Sequence, residues 1–258
     1  MSANASKEVL LQATKLTRRF GGLVANQDLD VTLERGMIHV LLGPNGAGKS
    51  TCINMLSGDL PPSEGKIEFM GRDITHLTAA QRSQVGIGRS YQRTNIFPQF
   101  TVLENVRLAA QSRRQQPWRI FSKAMQQQWT LEKARACIDE AGLGKRVDWI
   151  SGVLSHGEQR QLEIAMVLAT DAQVLLLDEP LAGMGSEESA SMVEVLKRLR
   201  QTRGILLVEH DMDAVFAVAD MITVMVNGLL LECGPPAQIK ASVAVQQAYL
   251  GTEESFHV

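Results

Sequence analysis

Gly43-Pro44-Asn45-Gly46-Ala47-Gly48-Lys49-Ser50 joins the apolar run Met37 to Leu42 to a segment of helical character, Lys49 to Leu56. A glycine-rich loop so placed turns its backbone N–H groups, and the positive end of the helix after it, onto one point that suits a di- or triphosphate. Lys49 adds a full charge for the β- and γ-phosphates. Ser50 adds a hydroxyl for Mg²⁺, a hard cation that takes one or two protein oxygens and the rest from phosphate and water. A second concentration of charge, Asp178-Glu179, ends the buried run Val174 to Leu177. Acids at the carboxyl end of a strand in a parallel sheet stand where ligands bind. Asp178 suits a Mg²⁺ ligand, and Glu179 suits a group that orients or deprotonates water. Third, Ser155-His156-Gly157-Glu158 opens an apolar-striped segment. Ser155 and Glu158 have the spacing of a capping box, which needs no ligand, yet the same geometry leaves N–H groups at the helix start facing outward, ready for an anion.

These groups require strands that end, and helices that begin, at one edge of a sheet. Leu29, Val31 and Leu33 alternate with Asp30, Thr32 and Glu34 as in a half-buried strand, within a β region spanning 9–35. A turn at Pro61 to Gly65 precedes a short strand, Lys66 to Met70. From about Thr101 to Leu143 the pattern is helical, interrupted by Gln111 to Pro117. Units then alternate: a helix from His156, a strand Val174 to Leu177, a helix from Glu187, a strand Ile205 to Val208, a helix after Asp211. Such alternation implies a parallel sheet covered on both faces. Asn227-Gly228, between Met221 to Val226 and Leu229 to Cys233, predicts a hairpin. The last residues, from about Thr252, are expected to fray.

At 258 residues the chain can bury a substantial core. A formal net charge of -2 argues against a protein whose main task is to hold nucleic acid by its phosphates. Cys52, Cys137 and Cys233 have no paired spacing, so neither a disulfide framework nor a zinc site is indicated, which fits a reducing compartment. No apolar run approaches the ~18 to 20 residues needed to span a bilayer, and the first residues lack the apolar core of a signal peptide. Any link to a membrane is expected to pass through a partner.

The Gly43 to Ser50 loop, Leu154-Ser155-His156-Gly157-Glu158-Gln159, Asp178-Glu179 and Val208-Glu209-His210-Asp211 stand in the order and at roughly the distances of an ATP-binding cassette (ABC) domain. The chain resembles that family over nearly its whole length. The resemblance implies an α/β, P-loop NTPase fold of the ABC ATPase type: a mixed-sheet core, an N-terminal antiparallel β subdomain and a helical subdomain. It implies one domain over 1–258, with the ATP-binding core in 8–100 and 160–251 and the helical subdomain, bearing the signature, at about 101–159. ATP and Mg²⁺ are the implied cofactors. By resemblance, Gly43, Pro44, Asn45, Gly46, Ala47, Gly48, Lys49, Ser50 and Thr51 hold the phosphates. Ser155, Gly157 and Glu158 form the signature, which meets the γ-phosphate of ATP held by the other half of a head-to-tail dimer. Gln92 matches the glutamine that senses Mg²⁺ and the attacking water, and joins Ser50 and Asp178 around the metal. His210 matches the histidine that contacts the γ-phosphate, beside the catalytic Glu179, and Phe20 matches the aromatic that stacks on adenine.

More narrowly, Arg19-Phe20-Gly21-Gly22-Leu23, the insertion with Trp118 and Phe121, Leu162-Glu163-Ile164-Ala165 and Ala248-Tyr249-Leu250-Gly251 resemble ATPase subunits of branched-chain amino acid importers. That implies ATP hydrolysis coupled to uptake across the inner membrane, with integral membrane permease subunits and a second ATPase, or an identical chain, as partners. A substrate-binding protein takes part indirectly, nucleic acid does not, and the expected location is peripheral, on the cytoplasmic face. Import of urea, amides or another solute, and export, are alternatives. Soluble cassettes of chromosome type need a coiled coil between loop and signature, and 57–153 carries no sustained heptads. Two residues depart from the family pattern: His156 replaces a signature glycine, and Gly185 stands where many cassettes have aspartate, in Leu181-Ala182-Gly183-Met184-Gly185.

Overall fold

The computed structural model describes residues 8–91, 95–112, 123–210 and 212–253. Trp118 and Phe121 of the insertion lie outside them. In chain order the elements are β1 (Val9–Phe20), β2 (Leu23–Glu34), β3 (Ile38–Leu42), α1 (Lys49–Ser57), β4 (Glu64–Phe69), β5 (Arg72–Asp73), α2 (Ala79–Val85), β6 (Ile87–Arg89), α3 (Val102–Ser112), α4 (Lys123–Glu140), α5 (His156–Ala169), β7 (Val174–Asp178), α6 (Ser186–Leu199), β8 (Gly204–Glu209), α7 (Met212–Val218), β9 (Met221–Val226), β10 (Leu229–Gly234), α8 (Pro236–Ala241) and α9 (Val243–Glu253).

Two sheets form. A four-stranded antiparallel sheet has the order β2-β1-β4-β5, and a six-stranded mixed sheet has the order β10-β9-β3-β8-β7-β6. Within the second, β9, β3, β8, β7 and β6 pair in parallel, and β10 returns antiparallel on β9 through Asn227-Gly228. The central strands read as near-continuous apolar runs because both faces are covered, each by a separate core. Ile38, Val40 and Leu42, with Leu175, Leu177, Ile205 and Leu207, face a core shared with α3, α4, α5 and α6. Leu41, with Val174, Leu176, Leu206 and Val208, faces the other, which holds α1 residues Cys52, Ile53, Met55 and Leu56 against Leu11, Leu29, Leu33 and Ile67 of the antiparallel sheet. The helix after the glycine-rich loop is thus sandwiched between the sheets.

Helix α5 runs unbroken across residue 159 and packs on α3, α4 and β6, so the division expected between 159 and 160 falls inside a helix. Its first residues are capped in the open while its later turns, Leu162, Ile164, Ala165 and Leu168, are core.

Candidate nucleotide site

The parallel register brings the reactive ends together. Leu42, the last residue of β3, sits opposite Glu209 of β8, and Asp178, the last of β7, sits opposite Val208. The loop at Gly43, the acids Asp178 and Glu179, and His210 therefore issue from the carboxyl ends of three neighbouring strands.

The loop's path depends on glycine at two points. A Cβ on Gly43 would collide with the Met225 carbonyl, and one on Gly48, at φ 97°, would lie 2.6 Å from the Ala25 carbonyl oxygen. Gly48 caps α1 without a side chain, so no side-chain oxygen occupies the first-turn N–H groups. Asn26 Nδ2 donates to Gly48 O at 3.1 Å, and Gly228 N donates to Ala47 O at 3.0 Å, anchoring the loop to the hairpin and to β2. Asn45, Gly46 and Ser50 are exposed, Pro44 and Thr51 are half-buried, and Lys49 is buried. Lys49 Nζ donates to Gly43 O at 2.5 Å and Pro44 O at 3.0 Å. Burial lowers its pKa, opposed by the nearby carboxylates of Glu179 and Asp178. At the far end of α1, the fully buried Arg82 donates to Met55 O at 2.6 Å and Leu56 O at 2.8 Å, a cation on the helix's negative end.

Asp178 is buried, and burial raises its pKa against the pull of Arg89 and Lys49. Glu179 has φ 49°, a left-handed conformation fixed by its N–H donating to Val208 O at 2.9 Å. That turn puts its Oε1 3.5 Å from His210 Nδ1. Glu209, also buried, accepts from Leu181 N at 3.0 Å and so pins the backbone just after the acids. No three His, Cys, Asp or Glu side chains converge to hold a metal among the described residues. The donors at hand, a Ser50 hydroxyl and an Asp178 carboxylate, are hard oxygens too few for a closed cage, which fits Mg²⁺ that completes its shell with phosphate and water.

Ser155 caps α5 in a full capping box: its Oγ accepts from Glu158 N, and Glu158 Oε2 accepts from Ser155 N at 3.0 Å. Ser155 Oγ also donates to Glu188 of α6, and that carboxylate accepts from the N–H of Gly157 as well. A Cβ on Gly157 would lie 2.9 Å from Glu188 Cδ. The His156 ring lies 3.6 Å from the position of a Gly183 Cβ, two residues before Gly185, whose own Cβ position has nothing within 4 Å. Phe20, 45% exposed at the end of β1, carries the Arg18 guanidinium over one face at 4.6 Å and presents the ring to solvent. Gln92 lies outside the described residues. Its flanks are held by α5: Arg160 Nη1 donates to Tyr91 O at 2.8 Å, and Glu163 accepts from Asn95 N at 2.7 Å, while the two side chains pair at 2.8 Å. Sequence reasoning gave no role to this pair, Arg89, Glu188 or Glu209, each of which acts through a contact far away in sequence.

A family model described as ABC transporter matches residues 26–182. Among curated proteins, the high-affinity branched-chain amino acid transport ATP-binding protein LivG of Salmonella typhimurium is 35% identical over 94% of this chain and 98% of its own length. The corresponding protein BraF of Pseudomonas aeruginosa is 33% identical over the same shares. Among solved structures, the ADP conformation of MJ1267, an ATP-binding cassette of an ABC transporter, superposes with a TM-score of 0.82 at 27% identity, covering 94% of this chain and 99% of that one.

Proposed function

Because the chain belongs to the ABC transporter family, as one of its ATPases, we propose that it energises uptake of branched-chain or related amino acids by closing and reopening a nucleotide-bound dimer. The observation that carries the chemistry is the juxtaposition of the Gly43 to Ser50 loop with Asp178, Glu179 and His210 at neighbouring strand ends. Lys49 and the loop N–H groups hold the phosphates, and Ser50 and Asp178 hold Mg²⁺, with Gln92 assigned beside them by resemblance. The metal supplies charge neutralisation on the phosphate oxygens. Glu179 orients the attacking water and takes its proton, and His210 steadies the Glu179 carboxylate and meets the terminal phosphate. Phe20 stacks on adenine. Ser155, Gly157 and Glu158 of one chain complete the site of the other, so hydrolysis depends on assembly.

No helix among the described residues is long and apolar enough to cross a membrane, so permease subunits are the proposed route to the bilayer, with the chain peripheral on its cytoplasmic face. Phe97, 52% exposed and stacked on Phe100 at 5.4 Å, lies in the segment proposed to meet them. The solute is the finer part of the reading and rests on the identity to LivG and BraF. Cells lacking this chain should lose uptake of labelled leucine and regain it with the wild type but not with Glu179→Gln. Intact leucine uptake with lost urea or amide uptake would move the assignment to those solutes.

A further inference from the structure

Arg89 closes β6 beside β7, where it pairs in register with Leu176, two residues before Asp178. Its side chain is 9% exposed and its guanidinium is shared. Nη1 donates to Asp59 Oδ2 at 2.7 Å and to Ser57 Oγ at 2.7 Å, and Nη2 stands 3.8 Å from Asp178 Oδ2. The guanidinium lies over Tyr91, 4.7 Å from the ring centroid. Ser57 Oγ in turn donates to Asp59 Oδ2 at 2.6 Å, which closes a triangle at the end of α1. The Asp59 contact is a full charge-assisted hydrogen bond, whereas 3.8 Å is beyond hydrogen-bond range yet close enough for charges in a covered site to attract strongly. Arg89 Nε, also covered, has no hydrogen-bond partner among the described residues. Among the described residues the guanidinium is therefore hydrogen-bonded only on its Asp59 and Ser57 side.

We propose that Asp59 is a tether that holds Arg89 back from Asp178 and so keeps the Asp178 carboxylate available to a divalent cation. Asp59 and Arg89 are positioning residues for the metal site, and the inference rests on the reading of Asp178 as a metal ligand. Arg89 and a divalent cation compete for one carboxylate. With the Asp59 charge present, Nη1 is satisfied and Nη2 stays beyond hydrogen-bond range of Asp178. Without it, the remaining carboxylate that the structure places beside the guanidinium is Asp178, and a shift of about 1 Å converts the present approach into a charge-assisted hydrogen bond. The cation must then displace Arg89. Asp59, no ligand itself, thus tunes metal affinity through Arg89 alone, which a double variant can isolate.

The test is the ratio of apparent nucleotide Kd in EDTA to that in Mg²⁺, read with a fluorescent ATP analogue on the full chain. Asp59→Asn should lower this ratio about tenfold or more, the worth of one hydrogen bond to a charged group, while leaving the Kd in EDTA unchanged. Asp59→Glu should keep the wild-type ratio. In an Arg89→Gln background, Asp59→Asn should change nothing further. Each variant is first melted, and Asp59→Ser stands in if Asp59→Asn is not folded. An unchanged ratio in folded Asp59→Asn, or a loss that persists without Arg89, overturns the tether. Asp178→Asn separates the two readings: if it too leaves the ratio unchanged, the metal-ligand assignment has failed, whereas a collapsed ratio there with no effect of Asp59→Asn rejects the tether alone.

Discussion

Ser155 Oγ lies 2.5 Å from Glu188 Oε1, so the first turn of α5 already holds an anion from its own chain. The Ser155 hydroxyl, followed by N–H groups of Gly157 and Gly185, keeps the Glu188 carboxyl below the usual carboxylate range. In the proposed dimer the partner's γ-phosphate needs the same donors. Glu188→Gln, placed in a Glu179→Gln background to stop turnover, should lower the ATP concentration for dimer formation about two- to fivefold, the worth of a charge at an exposed helix terminus. Light scattering against ATP concentration measures it, and a higher threshold would show that Glu188 supports closure.

Glu179 is placed by a left-handed backbone turn and faces His210. Glu179→Gln should reduce kcat by ~10² to 10⁴ while nucleotide affinity is retained, as expected for loss of a general base. Lys49→Ala should weaken nucleotide binding itself. Steady-state hydrolysis beside equilibrium binding distinguishes the two, and equal turnover in wild type and Glu179→Gln would sink the assignment.

Assembly is tested separately. With ATP, Glu179→Gln should elute as a dimer, and with ADP as a monomer. Adding Ser155→Arg should abolish the dimer and spare binding at the loop, since in the proposed dimer the new side chain enters the opposite chain's phosphate site. A dimer that survives Ser155→Arg removes the signature from the interface.

The Arg160–Glu163 pair is 8% and 5% exposed, and burial raises the Glu163 pKa despite its hydrogen bonds from Asn95 and Arg160. Removing one partner strands the other charge: Glu163→Ala should cost ~3 to 5 kcal/mol, or a fall in Tm of roughly 6 to 20 °C. Arg160→Met with Glu163→Leu should recover most of that loss by calorimetry, because neither buried charge remains. A double variant no better than the single one would assign the loss to the Tyr91 and Asn95 backbone contacts instead.

His39, in the strand that feeds the loop, has Nδ1 3.0 Å from Thr32 O and Nε2 2.9 Å from Thr223 Oγ1. A carbonyl can only accept, so Nδ1 carries the proton. Burial lowers the His39 pKa below its ordinary value, and the unfolded chain therefore binds the proton more tightly. The stability this contributes is complete above about pH 6.5 and is lost as pH falls below it, by at most ~1.4 kcal/mol per pH unit. Urea unfolding at about pH 7.5 and 5.5 should show a larger acid loss for wild type than for His39→Gln. Equal losses would place the acid sensitivity elsewhere.

The sequence was most legible where one requirement governs a whole segment. The strand before Gly43 and the run before Asp178 are covered on both faces, so every position in them except His39 is apolar. The same rule hid His39, which sits in such a run with both ring nitrogens satisfied. Three-residue β6 is too short to show a period, and Arg89 was lost with it. Helix α2 did carry a signal that was not used, the Thr78 to Gln81 capping box. In the sequence, Arg160 and Glu163 are simply polar residues within the apolar-striped segment that Ser155 opens. That they face inward became visible only once α5 was set against Tyr91 and Asn95.

Arg82 gives α1 a countercharge at its tail, where it donates to the Met55 and Leu56 carbonyls beside the Gly58 cap. Loop, helix and tail are thereby assembled by folding itself, so binding a nucleotide requires little ordering of the chain. Calorimetrically, association at this site should show only a small change in heat capacity.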